Sequence, residues 1–268
     1  MKTILVTGLD GSGKSTFFSR LDAVKKSHVA ILNIPEIDVS LYNTDKEIYK
    51  AGNFINKLSE HATKTQQPFI KGLALFTAML YFKDFYEQLK KKEVQTIFCE
   101  RHPLIDTTVY AKFYVPKLDP SGINQKEFKN LDNDFKEDLI NILYKIKPYG
   151  ITTHATISET ICYFIYNWFH VKSKLEFKYL TALFKVSVPE HIYFLEADPK
   201  ILMERIKTRK YIEPHEQENT LKALNQTYSR ILHLVKTQFN CKITIVDAAK
   251  IEELDRFGAL INATYNAD

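Results

Sequence analysis

Short, continuously apolar runs rich in β-branched residues recur at positions 3–6, 29–34, 96–99, 191–195 and 243–246. Runs this short, apolar at successive rather than alternate positions, suit strands covered on both faces of a parallel sheet. Longer stretches of helical periodicity separate them, so the pattern predicts an α/β fold: a five-stranded parallel sheet with helices on both faces. Positions 73–89 place apolar groups at nearly every helical angle, among them Phe76, Met79, Leu80, Phe82, Phe85 and Tyr86. Such a helix is buried on most sides, and its aromatics belong to the core. Phe135, Leu139, Ile142, Leu143 and Ile146 form a one-sided helical stripe that stops before Pro148-Tyr149-Gly150. Residues 115–185, between the third and fourth strands, are far too many for a simple βα connection and predict a helical insertion. That insertion either lies on the substrate side or is a packing subdomain without ligand contact.

Directly after the first apolar run stands Gly8-Leu9-Asp10-Gly11-Ser12-Gly13-Lys14-Ser15-Thr16, followed by a helical stretch through Phe17, Phe18 and Leu21. The segment fits G-x-x-x-x-G-K-[ST], in the strand-to-helix context that this pattern requires. Glycines let successive backbone N–H groups converge on phosphate oxygens, and the following helix turns its positive end toward them. The loop is therefore assigned to the phosphates of ATP through Gly8, Asp10, Gly11, Ser12, Gly13, Lys14, Ser15 and Thr16. Lys14 is expected to bridge the β- and γ-phosphates, and Ser15 to ligate magnesium.

The remaining bulk properties narrow the class. At 268 residues, with 45% hydrophobic and 26% charged positions, the chain has the apolar content of a globular domain rather than of a disordered one. A net charge of +5 from 37 basic and 32 acidic residues is too balanced for a polybasic nucleic-acid binder, and suits a small anionic substrate. Cys99, Cys162 and Cys241 lie far apart, with no CxxC spacing and an odd count, so neither a disulfide framework nor a zinc site is indicated. The apolar start is cut off by Gly8, too early for a signal-peptide core, and residues 161–169 are too few to span a bilayer. The expectation is a cytoplasmic protein without a membrane or nucleic-acid partner. No Asn-Lys-x-Asp follows a strand, and the one Asp-x-x-Gly, Asp119 to Gly122, lies inside the insertion, which argues against a guanine-nucleotide switch.

Further pieces, in matching order, carry a family resemblance. Cys99-Glu100-Arg101-His102-Pro103-Leu104-Ile105-Asp106 looks like the "(D/E)-R-(S/H/Y)" segment after the third strand of thymidylate kinases and deoxynucleoside kinases. Its Arg-His-Pro form is similar to that of viral thymidine kinases, and Asp106 stands where cellular deoxynucleoside kinases also carry an aspartate. The stretch 188–199 resembles the fourth strand and its exit, 202–209 the following lid helix, and 243–254 the last strand with its turn toward adenine. The loop at 8–16 is most similar to that of thymidylate kinases. The chain thus resembles the thymidylate kinase and deoxynucleoside kinase superfamily of P-loop kinases. This implies one P-loop NTPase domain over 1–268, with a helical insertion at about 115–185 and a lid at about 205–217. It also implies ATP and Mg2+ as cofactors, a nucleoside or nucleotide acceptor, and a homodimer packed through helices.

Individual roles follow from position and chemistry. Glu100 ends the third strand, where open α/β sheets gather ligands, and a carboxylate there holds the magnesium shell opposite Ser15; an ion pair with Arg101 or Arg205 is the alternative. Arg101 carries over as the residue that reaches the acceptor's 5′ end, where a planar fork suits a phosphate or a hydroxyl. Glu36, in Ile34-Pro35-Glu36, resembles the "P-E" that supplies the general base in deoxynucleoside kinases, with Asp38 as the other candidate. Arg205, Arg209 and Lys210 cluster at the expected lid, either as cations for the transferring phosphoryl group or as surface charges at a helix C-terminus. Glu213 aligns, once one residue is inserted, with the lid glutamate that binds the sugar 3′-hydroxyl.

The acceptor code departs from both families. Thymidylate kinases carry Ala-Asp-Arg on the buried helix, where this chain reads Ala78-Met79-Leu80; deoxynucleoside kinases carry a glutamine, and the nearest position by spacing is Thr77. The second lid arginine is replaced by Tyr211 or Lys210. The acceptor is accordingly a deoxynucleoside monophosphate of the dTMP type or a deoxynucleoside. A regulatory nucleotide-binding protein without acceptor phosphorylation, or a kinase for another small hydroxylated substrate, are the alternatives.

Overall fold

Five strands form at the apolar runs: β1 (Lys2–Gly8), β2 (Val29–Leu32), β3 (Thr96–Cys99), β4 (His191–Glu196) and β5 (Lys242–Asp247). In the computed structural model, which describes residues 1–171, 175–208 and 217–265, they pair in parallel in the order β2-β3-β1-β4-β5. The central strand β1 is hydrogen-bonded on both sides, with Ile4 opposite Phe98 and His191, and only Lys2 in it is exposed. Its unbroken apolar run is what burial on both faces demands. The second run extends to Ile34, yet β2 ends at Leu32. Ile34 stays buried, but Pro35 follows it and has no N–H for a ladder.

The α-helices among the described residues are α1 (Lys14–Val24), α2 (Lys46–Thr65), α3 (Pro68–Lys91), α4 (Pro103–Tyr114), α5 (Gln125–Ile146), α6 (Ile157–His170), α7 (Phe177–Phe184), α8 (Pro199–Lys207), α9 (Glu218–Phe239) and α10 (Ile251–Tyr265). None is long and apolar enough to cross a membrane. The chain divides into two compact units, one of residues 1–33, 89–105 and 188–268, the other of 34–88 and 106–187.

The first unit holds the whole sheet. Successive side chains of a strand point to opposite faces, and β4 shows what covers each face. Tyr193 meets Phe257 of α10, ring centroids 4.8 Å apart, while Phe194 meets Tyr228 of α9 at 5.2 Å. Helix α1 joins the first face by stacking Phe17 on Phe257 at 4.8 Å, and the Tyr228 hydroxyl lies 3.0 Å from Thr7 Oγ1 on the second. The predicted sheet with helices on both faces is therefore present.

His191 sits at the start of β4 with its ring against Tyr193, 3.9 Å between centroids, and Nε2 at 2.9 Å from Thr244 Oγ1. Burial, helped by the nearby Lys242 charge, lowers its pKa from the ordinary 6.5 to about 4. Above pH 6.5 the ring is neutral whether the chain is folded or not, and its contribution to stability is complete. As pH falls from 6.5 toward 4, the unfolded chain takes up a proton that the folded chain refuses, and stability drops. Urea midpoints recorded from pH 7.5 to 4.5 are expected to fall more steeply for the native chain than for His191→Asn; parallel slopes would contradict this assignment.

The second unit is helical. Helix α2 starts at Asp45, whose carboxylate accepts from the Glu47 and Ile48 N–H groups at 3.1 Å, and it buries Ala51, Phe54, Ile55, Leu58 and Ala62 along one stripe. Helix α3 is enclosed as its composition predicts. Phe76 meets Phe164, Phe169 and Phe184 at 6.1–6.3 Å, and Phe85 meets Tyr42 at 4.9 Å. Within 115–185 the insertion before the fourth strand forms α5, α6 and α7. Helix α5 ends where Pro148-Tyr149-Gly150 signals, but it starts ten residues before Phe135. The helix bends at Phe135 (φ −136°, ψ 24°), which divides the buried stripe Phe128 and Leu131 from Leu139, Ile142 and Ile146.

Candidate functional site

The end of β1 and the start of α1 form the glycine-rich turn. A Cβ on Gly8 would lie 2.5 Å from the Leu195 carbonyl oxygen of β4 and 2.8 Å from Ser12 Oγ, so any side chain there would force the strand and the loop apart. Gly13, at φ +94°, is the N-cap of α1 in the left-handed region, and no side chain caps the helix. The first-turn N–H groups of α1 are thus left without a side-chain acceptor at the positive end of the helix dipole, an arrangement that suits an anion. Phe17, Phe18 and Leu21 bury one side of α1 and hold it in place.

Inside the turn, Ser12 is fully buried and its hydroxyl has no hydrogen-bond partner. A buried hydroxyl without a partner costs free energy unless a further acceptor or donor approaches, and a phosphate oxygen on the loop would supply one. Lys14 is only 6% exposed. Its ammonium donates to the Gly8 and Leu9 carbonyls at 2.9 and 3.0 Å, and it stands 3.8 Å from Asp10 Oδ1 and 4.0 Å from Glu100 Oε1. Glu100, one residue past β3, therefore stands within ion-pair distance of Lys14. Ser15 and Thr16 remain exposed. Among the described residues no group of three or more His, Cys, Asp or Glu side chains could hold a metal ion. Magnesium usually takes one or two protein oxygens completed by phosphates and water, and Ser15 and Glu100 are the oxygens that the sequence offers for it.

Helix α8 brings Arg205 to the same loop. Its Nη1 donates to Ala248 O at 2.8 Å and Gly11 O at 3.3 Å, and its Nη2 to Ala249 O at 3.2 Å. A cleft of about 720 Å³ opens here, lined by Gly13, Ser15, Thr16, Arg205, Thr208 and Leu254 among others.

No family model matches the chain, and no curated protein matches it in sequence. Solved structures do. The thymidylate kinase of Candida albicans aligns over 99% of this chain and 92% of its own, with a TM-score of 0.50 at 18% identity. The chain has the P-loop kinase fold. The deoxyadenosine kinase of M. mycoides with bound dATP gives a TM-score of 0.47 at 16% identity over 98% of this chain and 100% of that one. The same enzyme with the products dCMP and dCDP gives 0.44 at 15%, over 97% and 99%.

In this P-loop kinase fold the remaining sequence candidates divide by unit. Arg101 follows Glu100 in the first unit and is half-buried. Glu36 and Asp106 belong to the second. Glu36 is exposed on the loop after β2, where Asn56 of α2 pins the adjacent Ile37 by accepting from its N–H at 2.7 Å and donating to its carbonyl at 2.8 Å. No sequence motif marks Asn56; its interior position on the polar side of an amphipathic stripe was the only signal. Asp38 is engaged otherwise, since its carboxylate accepts from the Ser40 N–H and hydroxyl at 3.1 and 2.6 Å. Asp106 is buried in the first turn of α4. The Thr77 hydroxyl is buried and donates to the Leu73 carbonyl of its own helix at 2.8 Å, and Met79 and Leu80 are buried as well. Arg209, Lys210, Tyr211 and Glu213 lie outside the described residues, as does most of the expected lid.

Proposed function

We propose that the chain is an ATP-dependent nucleoside or nucleotide kinase of the thymidylate kinase-like type, which transfers the γ-phosphoryl group of ATP to a deoxynucleoside or its monophosphate. The observation that carries this reading is the pairing of the loop lysine, Lys14, with Glu100 at the end of β3, on an uncapped helix start in a P-loop kinase fold. Both units belong to one kinase domain, in which 115–185 is an insertion and 205–217 a lid. Lys14 and the loop N–H groups would hold the β- and γ-phosphates. Ser15 and Glu100 would hold magnesium, which supplies neutralisation of the phosphate charge. Arg101 and Asp106 would orient the acceptor at its 5′ end, with Glu213 on the sugar and Arg209 as a lid cation for the phosphoryl group.

The acceptor is read from Glu36 and α3. A hydroxyl must lose a proton as it attacks, whereas a phosphate oxygen is already ionised near neutral pH, so only a nucleoside acceptor needs a base. Asp38 is occupied by Ser40, which favours Glu36 as that base. Met79 and Leu80 supply no cation for an acceptor phosphate, which favours a nucleoside over a monophosphate. The same two buried residues also favour the second reading, a nucleotide-binding regulatory protein that has lost acceptor phosphorylation.

Coupled ADP-release assays across nucleosides and monophosphates, thymidine compounds first, separate the readings. The kinase reading expects at least one acceptor to raise turnover above the ATP-only rate; binding of ATP with no stimulation by any acceptor favours the regulatory protein. Glu36→Gln is expected to lower kcat toward nucleosides by about 10²–10⁴-fold, the range of a lost general base, and to leave monophosphate turnover within a few-fold. Equal losses on both acceptors would remove Glu36 as the base.

A further inference from the structure

All five strands run the same way, so the rim where they begin lies opposite the phosphate loop, about 20 Å away along the seven residues of β1. Backbone bonds close this rim from strand to strand. The Lys2 N–H donates to the Gln95 carbonyl at 2.7 Å, the Gln95 N–H to the His28 carbonyl at 2.8 Å, and the Lys242 N–H to the Glu190 carbonyl at 3.3 Å. Lysines stand at four of the five strand starts. Lys2 opens β1, and Lys25 and Lys26 precede β2. Lys90, Lys91 and Lys92 precede β3, while Lys236 and Lys242 flank the entry to β5. All are exposed except Lys25, which is half-buried. Three carboxylates share the rim: Asp22 paired with Lys25, Glu190 accepting from the Thr3 N–H at 2.6 Å, and Glu93. Among its described residues the rim thus sets eight lysines against three carboxylates, an excess equal to the +5 of the whole chain. Helices α1, α3, α9 and α10 also end here, and their dipoles offset at most about two of these charges. The charge balance read from the sequence holds for the chain as a whole and conceals one basic end.

Two large apolar side chains are exposed beside these lysines. Val24, the last residue of α1, is 50% exposed, and Phe239, the last of α9, is 45% exposed. Because α1 and α9 cover opposite faces of the sheet, the apolar positions flank the lysines on both faces. We propose that this rim is a docking surface for an anionic lipid bilayer, with the lysines among the headgroups and Val24 and Phe239 at the boundary with the acyl chains. Adjacent strand starts are about 4.8 Å apart, inside the ~8 Å over which physiological salt screens a charge, so the lysines act on one surface together. The rim's cations are lysines, point charges on flexible stems that suit a diffuse negative surface; a nucleic-acid backbone is matched better by the planar fork of arginine. The apolar pair likewise has a place at a bilayer boundary and none against a phosphate backbone. Docking by this rim turns the phosphate loop away from the bilayer.

Co-flotation of the full chain with vesicles of phosphatidylcholine alone, and of phosphatidylcholine with phosphatidylserine, tests this. The native chain is expected to float only with phosphatidylserine and to detach as salt is raised. A lysine near such a surface adds about fivefold in binding, so Lys90→Gln combined with Lys91→Gln is expected to weaken binding by about 25-fold. Lys117→Gln combined with Lys129→Gln makes the same change in net charge at exposed positions of the other unit, and is expected to bind within about twofold of native. Val24→Ser combined with Phe239→Ser is expected to weaken binding at low and high salt alike. If a variant fails to fold, the lipid and salt dependence of the native chain still decides. No flotation, flotation on phosphatidylcholine alone, insensitivity to salt, or an equal loss in the Lys117 and Lys129 variant would overturn the proposal. Binding of a DNA or RNA oligonucleotide that the Lys90 and Lys91 variant loses, without flotation, would assign the rim to nucleic acid and overturn it as well.

Discussion

Lys14→Ala is expected to lower kcat by about 10²–10³-fold under either choice of acceptor, the loss seen when one preorganised electrostatic contact to the reacting group is removed. The ammonium is held against the Gly8 and Leu9 carbonyls and between the Asp10 and Glu100 carboxylates, so it stands in the loop before any phosphate arrives and needs little reorganisation to exchange a carbonyl for a phosphate oxygen. Alanine removes that charge and leaves two carboxylates beside the site, which repel the phosphates they formerly helped to frame. Lys14→Arg is expected to recover little, because a guanidinium is too large for a position that is 6% exposed and surrounded by backbone. Single-turnover measurements with saturating ATP check the effect on chemistry. An unaltered rate in Lys14→Ala would remove the whole phosphate-site assignment.

Phe98→Ala is expected to lower unfolding free energy by about 3–5 kcal/mol, the range for emptying a fully buried aromatic site. Phe98 lies in β3 opposite Ile4 of β1 and Ile31 of β2, with its ring 5.3 Å from Tyr265 and 6.4 Å from Phe17. It is completely inaccessible to solvent, so the truncation opens a cavity between the sheet, α1 and α10 rather than a surface dent. Phe98→Leu keeps most of the volume and is expected to cost less than about 1.5 kcal/mol. Urea unfolding of the two variants measures the difference; a cost below about 1 kcal/mol for alanine would show that this face closes over the gap. Glu100 follows Phe98 by two residues, so the same variant is expected to loosen the carboxylate's approach to Lys14.

The parts of the fold legible in the sequence are those that rest on local chemistry. Apolar runs without alternation marked the strands; β1, β3 and β4 are covered on both faces and have no polar side to show, whereas the edge strand β5 leaves Ile245 exposed although its run reads the same way. Boundaries moved at Ile34, at the start of α5 and at the start of α3, which begins at Pro68; Pro35 and an extra stripe around Phe128 decided the first two. The place of Glu100 just after β3 was legible, but its neighbour was not. Sequence offered Arg101 and Arg205, and the structure places Lys14 beside it. The contact of Asp38 with Ser40 was equally closed to sequence, since it is a turn-level bond that no motif encodes.

The sequence by itself determined the glycine-rich turn at 8–16. Gly8, Gly11 and Gly13, then Lys14 and Ser15, specify a turn and a helix start through backbone conformation within nine residues, and such a signal does not depend on what the rest of the chain does. Only the tertiary structure decided what surrounds that loop. The Arg205 clamp joins Gly11 to a turn after β5, across sequence separations of 194 and 43 residues, and the sheet order β2-β3-β1-β4-β5 is what makes these segments neighbours. Contacts of that range follow from how strands pair and helices cover them, and no spacing along the chain encodes them.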